Sequence, residues 1–240
     1  SESKTPLDPD MSALLCALLR MKKVAVISGA AFKQFETQFL RWLTCPPEAL
    51  KNLFLLPTNG ASLYEYKNGE WARVYRMELT DAEKKKILAA LEKTFQKTNF
   101  KKPETAYGAL IEDRGTQVTF SGLGSEAPLA LKEKWDPDLA RRTVLAEALR
   151  AELPDFAISI GGATSIDITR KGIDKAYGIR KLMRRLKYVP NQVFYIGDAL
   201  FPGGNDASVI SLGVNYQSVE KGGVAETKHI IHEILSKKVS

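Results

Sequence analysis

A chain of 240 residues, 44% of them hydrophobic, can bury a full core, which excludes a disordered chain and suits one large α/β domain or a core carrying a smaller insertion. A formal charge of +7 and a pI near 9.3 suit a nucleic acid, an acidic surface or a phosphorylated substrate without choosing among them. The longest apolar run falls far short of the roughly 18 residues that span a bilayer, and no charged-then-apolar leader opens the chain, so the expectation is a soluble protein with no membrane partner. The two cysteines, Cys16 and Cys45, have apolar neighbours; they read as buried reduced thiols, which points to the cytoplasm and builds no metal cluster.

Asp8-Pro9 predicts a helix start, with Met11, Leu14, Leu15 and Leu18 at helical spacing. "KKVAVIS", 22 to 28, reads as a buried strand, and the aromatics of "AAFKQFETQFLRWL" predict a helix after it. Leu53 to Leu56 reads as a second buried strand, followed by a hairpin around Asn68-Gly69. Thr80 caps a charged helix to about residue 97, and 107 to 122 reads as two strands joined at Asp113-Arg114-Gly115. Asp136-Pro137 opens a helix to about Leu153, and "FAISIGG" with "TSIDITR" predicts another strand pair. Helix, two strands, helix, two strands predicts an α+β layer with an antiparallel sheet over about 80 to 170. A helix capped by Asp174, a strand from Val193 to Ile196, a short strand near Ser211 to Val214 and a last helix over Glu226 to Ser236 return the chain to the α/β core. The expected domains are thus 1–79 with 171–240, and 80–170.

In open parallel sheets ligands bind beyond the carboxyl ends of the strands. Asp198 directly follows one strand, Ser28 ends another, and Lys175 begins a helix. Asp198 and Asp206 flank Pro202-Gly203-Gly204, and two gathered carboxylates repel unless a cation, a proton or a basic side chain lies between them. They are hard oxygen ligands suited to Mg²⁺, with Gly203 and Gly204 letting the loop fold back at φ > 0. The alternative is an Asx-turn at Asp198 and a helix cap at Asp206; the stretch taken whole favours the metal. Ser28 and Gly29 offer a hydroxyl and amides to a phosphoryl group, or form an ordinary cap. Lys175 offers a cation to phosphate oxygens, or belongs to a solvated face with Arg170, Lys171, Arg180, Lys181, Arg184, Arg185 and Lys187. That basic cluster also suits a catalytically inactive protein binding nucleic acid or an acidic partner, although no aromatic stacking motif accompanies it. His229 and His232 read as surface residues.

"VAVISGA", "KGIDKAYGI" and "GDALFPGGND" resemble the second, third and fourth motifs of the haloacid dehalogenase (HAD) superfamily, in the branch with a large α/β cap, subfamily IIB. The run "SIGGATSIDITRKGIDKAYGIRKL" with "PGGND" resembles the eukaryotic-type phosphomannomutases within it. The resemblance implies a Rossmann-like core with a parallel sheet plus an inserted α+β cap with an antiparallel sheet. It implies Mg²⁺-dependent transfer of a phosphoryl group from a sugar phosphate through an aspartyl-phosphate, with Ser28 and Lys175 stabilising the charge, Asp198 and Asp206 at the metal, and a cap that selects substrate.

Two departures stand out. The family's first motif, a strand ending in D-x-D-G-T, supplies the nucleophile and is found nowhere in these residues, while "SESKTPLDPDMSALL" resembles the segment on the carboxyl side of that motif. The nucleophile is therefore expected before Ser1, on roughly ten to fifteen further residues, and the 240 residues alone are expected not to turn over. In the cap, phosphomannomutases grip the distal phosphate with arginines around R-N-G-M and a following G-R; here the region reads "EDRGTQVTFSGLGSE", with Arg114 in place of one and Ser125 near the other. That loss favours a phosphatase over a mutase. Ser165 and Asp167 match the S-F-D of the family run and are sugar-hydroxyl contacts by resemblance, or ordinary strand residues facing solvent.

Overall fold

The first helix, α1 (Pro9–Leu19), starts where Asp8 accepts a hydrogen bond from the Met11 amide at 3.0 Å, with Pro9 inside the first turn. Its apolar side, Met11, Leu14, Leu15 and Leu18, packs on Ile231 of the last helix, α9 (Gly223–Ser236). The structure is a computed structural model that describes residues 6–201 and 204–237. The chain divides into two compact units, Ser1–Arg76 with Lys175–Ser240, and Met77–Asp174.

In the first unit β1 (Val24–Ile27) lies parallel to β2 (Leu53–Leu56), with Val24 opposite Leu53. The hairpin β3 (Ser62–Lys67) and β4 (Glu70–Arg76) extends this sheet antiparallel beyond β2. Asn68 (φ 50°) and Gly69 (φ 86°) take the left-handed pair of values that a two-residue hairpin requires. Separately, β9 (Phe194–Gly197) pairs in parallel with β10 (Asn215–Ser218). Between β1 and β2 run α2 (Phe32–Gln38), a single 3-10 turn (Leu40–Trp42) and α3 (Pro47–Leu50). The long α7 (Lys175–Leu186) packs Ile179 and Met183 with Tyr195 of β9, and Leu182 with Phe54 and Leu56 of β2. One helix thus holds both pieces of sheet.

In the second unit α4 (Asp81–Lys97) opens with a capping box, in which Glu83 donates its amide to the Thr80 hydroxyl and accepts from the Thr80 amide. The antiparallel sheet runs β5 (Ile111–Asp113), β6 (Gln117–Ser121), β8 (Ser165–Arg170) and β7 (Phe156–Gly161). Its apolar face, Val118, Phe120, Ile158, Ile166 and Ile168, packs on α4 and on α6 (Ala140–Glu152) through Ile87, Leu91, Leu145 and Leu149. Each such buried side chain contributes about 1.5–3 kcal/mol.

Four sequence expectations change. Cys16 and Cys45 form a disulfide: the Ser12 hydroxyl accepts from the Thr44 amide at 3.0 Å, so one helical turn further Cys16 meets the residue after Thr44. A count of cysteines could not see that proximity, and the reduced-thiol argument for the cytoplasm loses its footing. The helix expected from Pro137 begins at Ala140, because Leu139 turns left-handed (φ 64°) and the Asp136 carboxylate accepts from the Arg141 and Arg142 amides. A helix not foreseen, α5 (Leu129–Trp135), precedes it and lays Trp135 against Gly122. The strand expected near Ser211 to Val214 is β10, four residues later: Val209, in α8 (Ala207–Ile210), and Val214 are core anchors, and Gly213 (φ 70°) turns the chain into a polar edge strand.

Candidate functional site

The parallel strand β9 places Asp198 one residue beyond its carboxyl end, where the side chain is exposed and makes no hydrogen bond or ion pair among the described residues. Asp206, at the foot of α8, is 1% exposed. Its Oδ1 accepts from the Lys175 Nζ at 2.5 Å and from the Tyr195 hydroxyl at 2.5 Å, and its Oδ2 accepts from the Ala199 amide at 3.0 Å. Lys175 also donates to the Asn205 Oδ1 at 3.2 Å. The basic side chain that two gathered carboxylates demand is therefore Lys175, at the start of α7, paired with the deeper of the two. Burial alone would raise the Asp206 carboxyl, but the Lys175 charge and the three donors outweigh it and hold the group below its ordinary value. The Tyr195 phenol is pushed up, first by burial and then by the charge and hydrogen bond of Asp206, with Asp198 adding to it.

Two glycines make this packing possible. A Cβ on Gly197 would stand 2.6 Å from the Asp206 Oδ2, and one on Gly204 would stand 2.1 Å from the Ala199 carbonyl oxygen. Gly203 lies outside the described residues. Asp206 stands at the N-cap of α8 without a side-chain cap bond, so its carboxylate serves the cluster and not the helix.

Lys175, Tyr195, Asp198 and Asp206 line one groove of about 720 Å³, together with Ile27 at the end of β1. Ser28 follows Ile27, and its Oγ accepts from the Ala30 amide at 3.2 Å, leaving its proton to donate elsewhere. Among the described residues no three His, Cys, Asp or Glu gather as a metal site. Asp198 has a whole carboxylate available. Asp206 spends three of about four acceptor positions on Lys175, Tyr195 and Ala199, which leaves one on Oδ2.

In the second unit Asp167 is 8% exposed, not turned to solvent, and accepts from the Thr119 hydroxyl at 2.8 Å; Thr119 in turn accepts from the Gln117 amide group at 2.8 Å. Ser165 meets Ser121 at 3.3 Å. Arg114 donates to Glu112 at 2.8 Å, and Ser125 sits in the turn after β6. Of the basic run, Arg170 is held by Glu83 and Arg185 by Glu65. His229 lies on the surface, 3.3 Å from Glu233.

Sequence reasoning missed Tyr195, Asn205, Gln117 and Thr119. Tyr195 was hidden in a run read as apolar, although a tyrosine in a buried strand needs a partner for its hydroxyl.

The profile of eukaryotic phosphomannomutase matches residues 11–237. The chain belongs to that family. A phosphomannomutase of Spinacia oleracea is 27% identical over 215 residues, covering 85% of this chain and 79% of its own. Phosphomannomutase 2 of Dictyostelium discoideum is 27% identical over 254 residues, covering 99% and 93%. Among solved structures, the N-terminally truncated, IMP-bound IMP-nucleotidase of Plasmodium falciparum superposes with a TM-score of 0.69 at 15% identity, over 98% of this chain and 66% of that one. The chain therefore spans just under two thirds of that nucleotidase. These likenesses establish the HAD fold, with a parallel-containing core and an antiparallel cap-like sheet, and place this phosphomannomutase-family member among the HAD enzymes of sugar phosphates.

Proposed function

We propose that the chain is the body of a Mg²⁺-dependent phosphatase acting on a sugar phosphate, with the unit 77–174 as the cap that selects the sugar. The observation that carries this reading is the cluster at the carboxyl end of β9: a buried Lys175 fixed by Asp206, and Asp198 open beside it in the same groove. Members of this family generally use Mg²⁺; when bound it offsets negative charge on the transferring phosphoryl oxygens. Asp198 with its free carboxylate and Asp206 with one remaining lone pair would hold it. Lys175 carries a fixed positive charge toward the same oxygens, and Ser28 donates its hydroxyl proton to one of them. In this reading the nucleophile is the first aspartate of the family's D-x-D-G-T motif, which these 240 residues do not contain. Its carboxylate oxygen bonds to phosphorus as the bond to the sugar oxygen breaks, the sugar oxygen takes a proton from a second aspartate, and water then releases phosphate.

In the cap, Asp167 and Ser165 would receive sugar hydroxyls. Arg114 is already engaged by Glu112 and Ser125 carries no charge, which leaves little to grip a second phosphate. A mutase must hold either of two phosphates there, so this favours hydrolysis. The family match over 11–237 supports the second reading, a phosphomannomutase. Placement in the cytoplasm belongs to this proposal as well; in a reducing compartment Cys16 and Cys45 would be thiols.

The test uses the polypeptide extended before Ser1: free phosphate release from sugar phosphates is measured beside conversion of mannose 1-phosphate to mannose 6-phosphate with a bisphosphate activator. Phosphate release is expected. Net isomerisation without release would overturn the phosphatase reading in favour of the mutase.

A further inference from the structure

One face of the cap sheet is apolar, and the other carries a line of polar side chains. Val118, Ile158 and Ile168 belong to the core of that unit, so by strand alternation Gln117, Thr119 and Asp167 lie on the opposite face. There Thr119 of β6 stands beside Asp167 of β8, and Asp167 beside Ser159 of β7. Asp167 is the one charged residue that these three strands place on this face. The next strand, β5, puts Glu112 beside Thr119, and Arg114 donates to Glu112. The Gln117 Nε2 donates to the Thr119 Oγ1 at 2.8 Å, and the Thr119 hydroxyl donates to the Asp167 Oδ1 at 2.8 Å. Chemistry fixes the direction of both bonds: an amide nitrogen only donates and an ionised carboxylate only accepts, so the single hydroxyl proton of Thr119 goes to Asp167. A Cβ on Gly161 would stand 3.3 Å from the Asp167 Oδ2, so the glycine keeps β7 side-chain atoms off that oxygen.

We propose that Gln117 and Thr119 are positioning residues for ligand recognition: their line of hydrogen bonds fixes the Asp167 carboxylate as a pure acceptor, so that this face selects a sugar hydroxyl that brings its own hydrogen. That role rests on the proposed function, in which Asp167 receives a sugar hydroxyl; what is new is which residues aim the carboxylate and which way the ligand's hydrogen bond runs. Hydrogen bonds in a line polarise one another, so the Gln117 amide on the Thr119 oxygen strengthens the bond that Thr119 gives to Oδ1. Oδ1 held in place sets the plane of the carboxylate, and with it the position of Oδ2 over Gly161. A ligand atom that can only accept, such as an ether oxygen or a fluorine, meets lone pairs with lone pairs there. A site built to hydrogen-bond a hydroxyl rejects the analogue without one because its buried polar group is then left unpaired.

The test measures binding of mannose 1-phosphate to the 240-residue chain with Mg²⁺ by calorimetry, beside analogues in which one ring hydroxyl at a time is replaced by hydrogen or by fluorine, which cannot donate. At one hydroxyl both replacements are expected to weaken binding about tenfold; fluoro analogues that bind as well as the parent at every position overturn the direction. Thr119→Val removes the donor to Asp167, and Gln117→Glu keeps the shape of residue 117 but puts an acceptor where the amide nitrogen stood. Both are expected to shrink the discrimination to under about threefold, and Thr119→Ser to retain it. In the first two the acid limb of the binding profile is expected to move to higher pH, since the charged form of Asp167 loses a donor, whereas the Glu112–Arg114 pair is untouched in every variant. A role in stability alone would leave discrimination and pH profile unmoved, and that result overturns the inference while the proposed function stands. Where either variant fails to fold, Gly161→Ala, which crowds Oδ2 and spares the line, decides: the parent is expected to bind about tenfold more weakly and the discriminating analogue as before, and unchanged binding of the parent overturns the inference. Failure of every probe to bind the unsubstituted chain counts against the proposed function. The line is then judged by carbon-13 titration of the Asp167 carboxyl in Thr119→Val and Gln117→Glu, where a midpoint at higher pH supports it and an unmoved one overturns it.

Discussion

Two four-stranded sheets of this protein, one in each unit, differ in how far their apolar strands are buried. In the cap unit four antiparallel strands run without a break, and the residues of β6 are all buried. In the core unit β2 is buried throughout, whereas its neighbour β1, equally apolar, is half-exposed. The difference teaches that burial of a strand is set by its neighbours and not by its own composition. Lys175, Tyr195, Asp198 and Asp206 line a groove beside the less-buried β1 and β9.

The largest effect is expected from the buried ion pair in that groove. Lys175→Ala leaves Asp206 charged and buried without its cation; stability of the core unit should fall by about 3–5 kcal/mol, read by urea unfolding, and phosphate release by the extended polypeptide should fall on the order of 10²–10³-fold. Arg142→Ala in the cap, which strands Asp136, where the two side chains are 2% and 0% exposed, should cost a similar stability. An unchanged midpoint in either variant would break the parallel.

A matched pair of truncations sharpens the contrast between sheets. Ile166→Ala in β8, at a site with no exposure, should cost about 2–5 kcal/mol. Ile27→Ala in half-buried β1 should cost less than half as much. Equal costs would show that β1 is already covered.

The disulfide ranks next. Cys16 and Cys45 close a loop with a sequence separation of 29, so reduction or Cys45→Ser should destabilise the core unit by about 2–4 kcal/mol and leave the cap transition unmoved. Thiol titration before and after reductant checks the state of the pair.

The smallest effect is a pH dependence confined to the cap. The Arg170 guanidinium, then the Thr80 amide, hold the Glu83 carboxyl at about 2, below its usual 4.5. A carboxyl lowered on folding stabilises fully above its unfolded value, and that contribution is lost as pH falls from 4.5 toward about 2. Glu83→Gln should flatten the slope of cap stability against pH in that window; an unaltered slope would remove Glu83 from the account.

Much of this was legible in local sequence. The caps at Asp8 and Thr80 and the hairpin at Asn68-Gly69 are signals that act within a few residues. Lys175, Asp198 and Asp206 were legible as a group because strand ends and helix starts converge in such sheets, and they do line one groove. The expectations that failed depended on distant partners. The disulfide follows from a loop hydrogen-bonded to α1 through Ser12. The position of β10 depends on Val209 and Val214 being core anchors and not strand residues. The Asp206 carboxylate likewise has partners brought from other elements, Lys175 and Tyr195, which its own loop does not announce.

Helix α7 packs Ile179 and Met183 with Tyr195 of β9 and Leu182 with Phe54 and Leu56 of β2, and it begins with Lys175. The same helix that packs against both sheets therefore carries, at its first residue, the ammonium that holds buried Asp206.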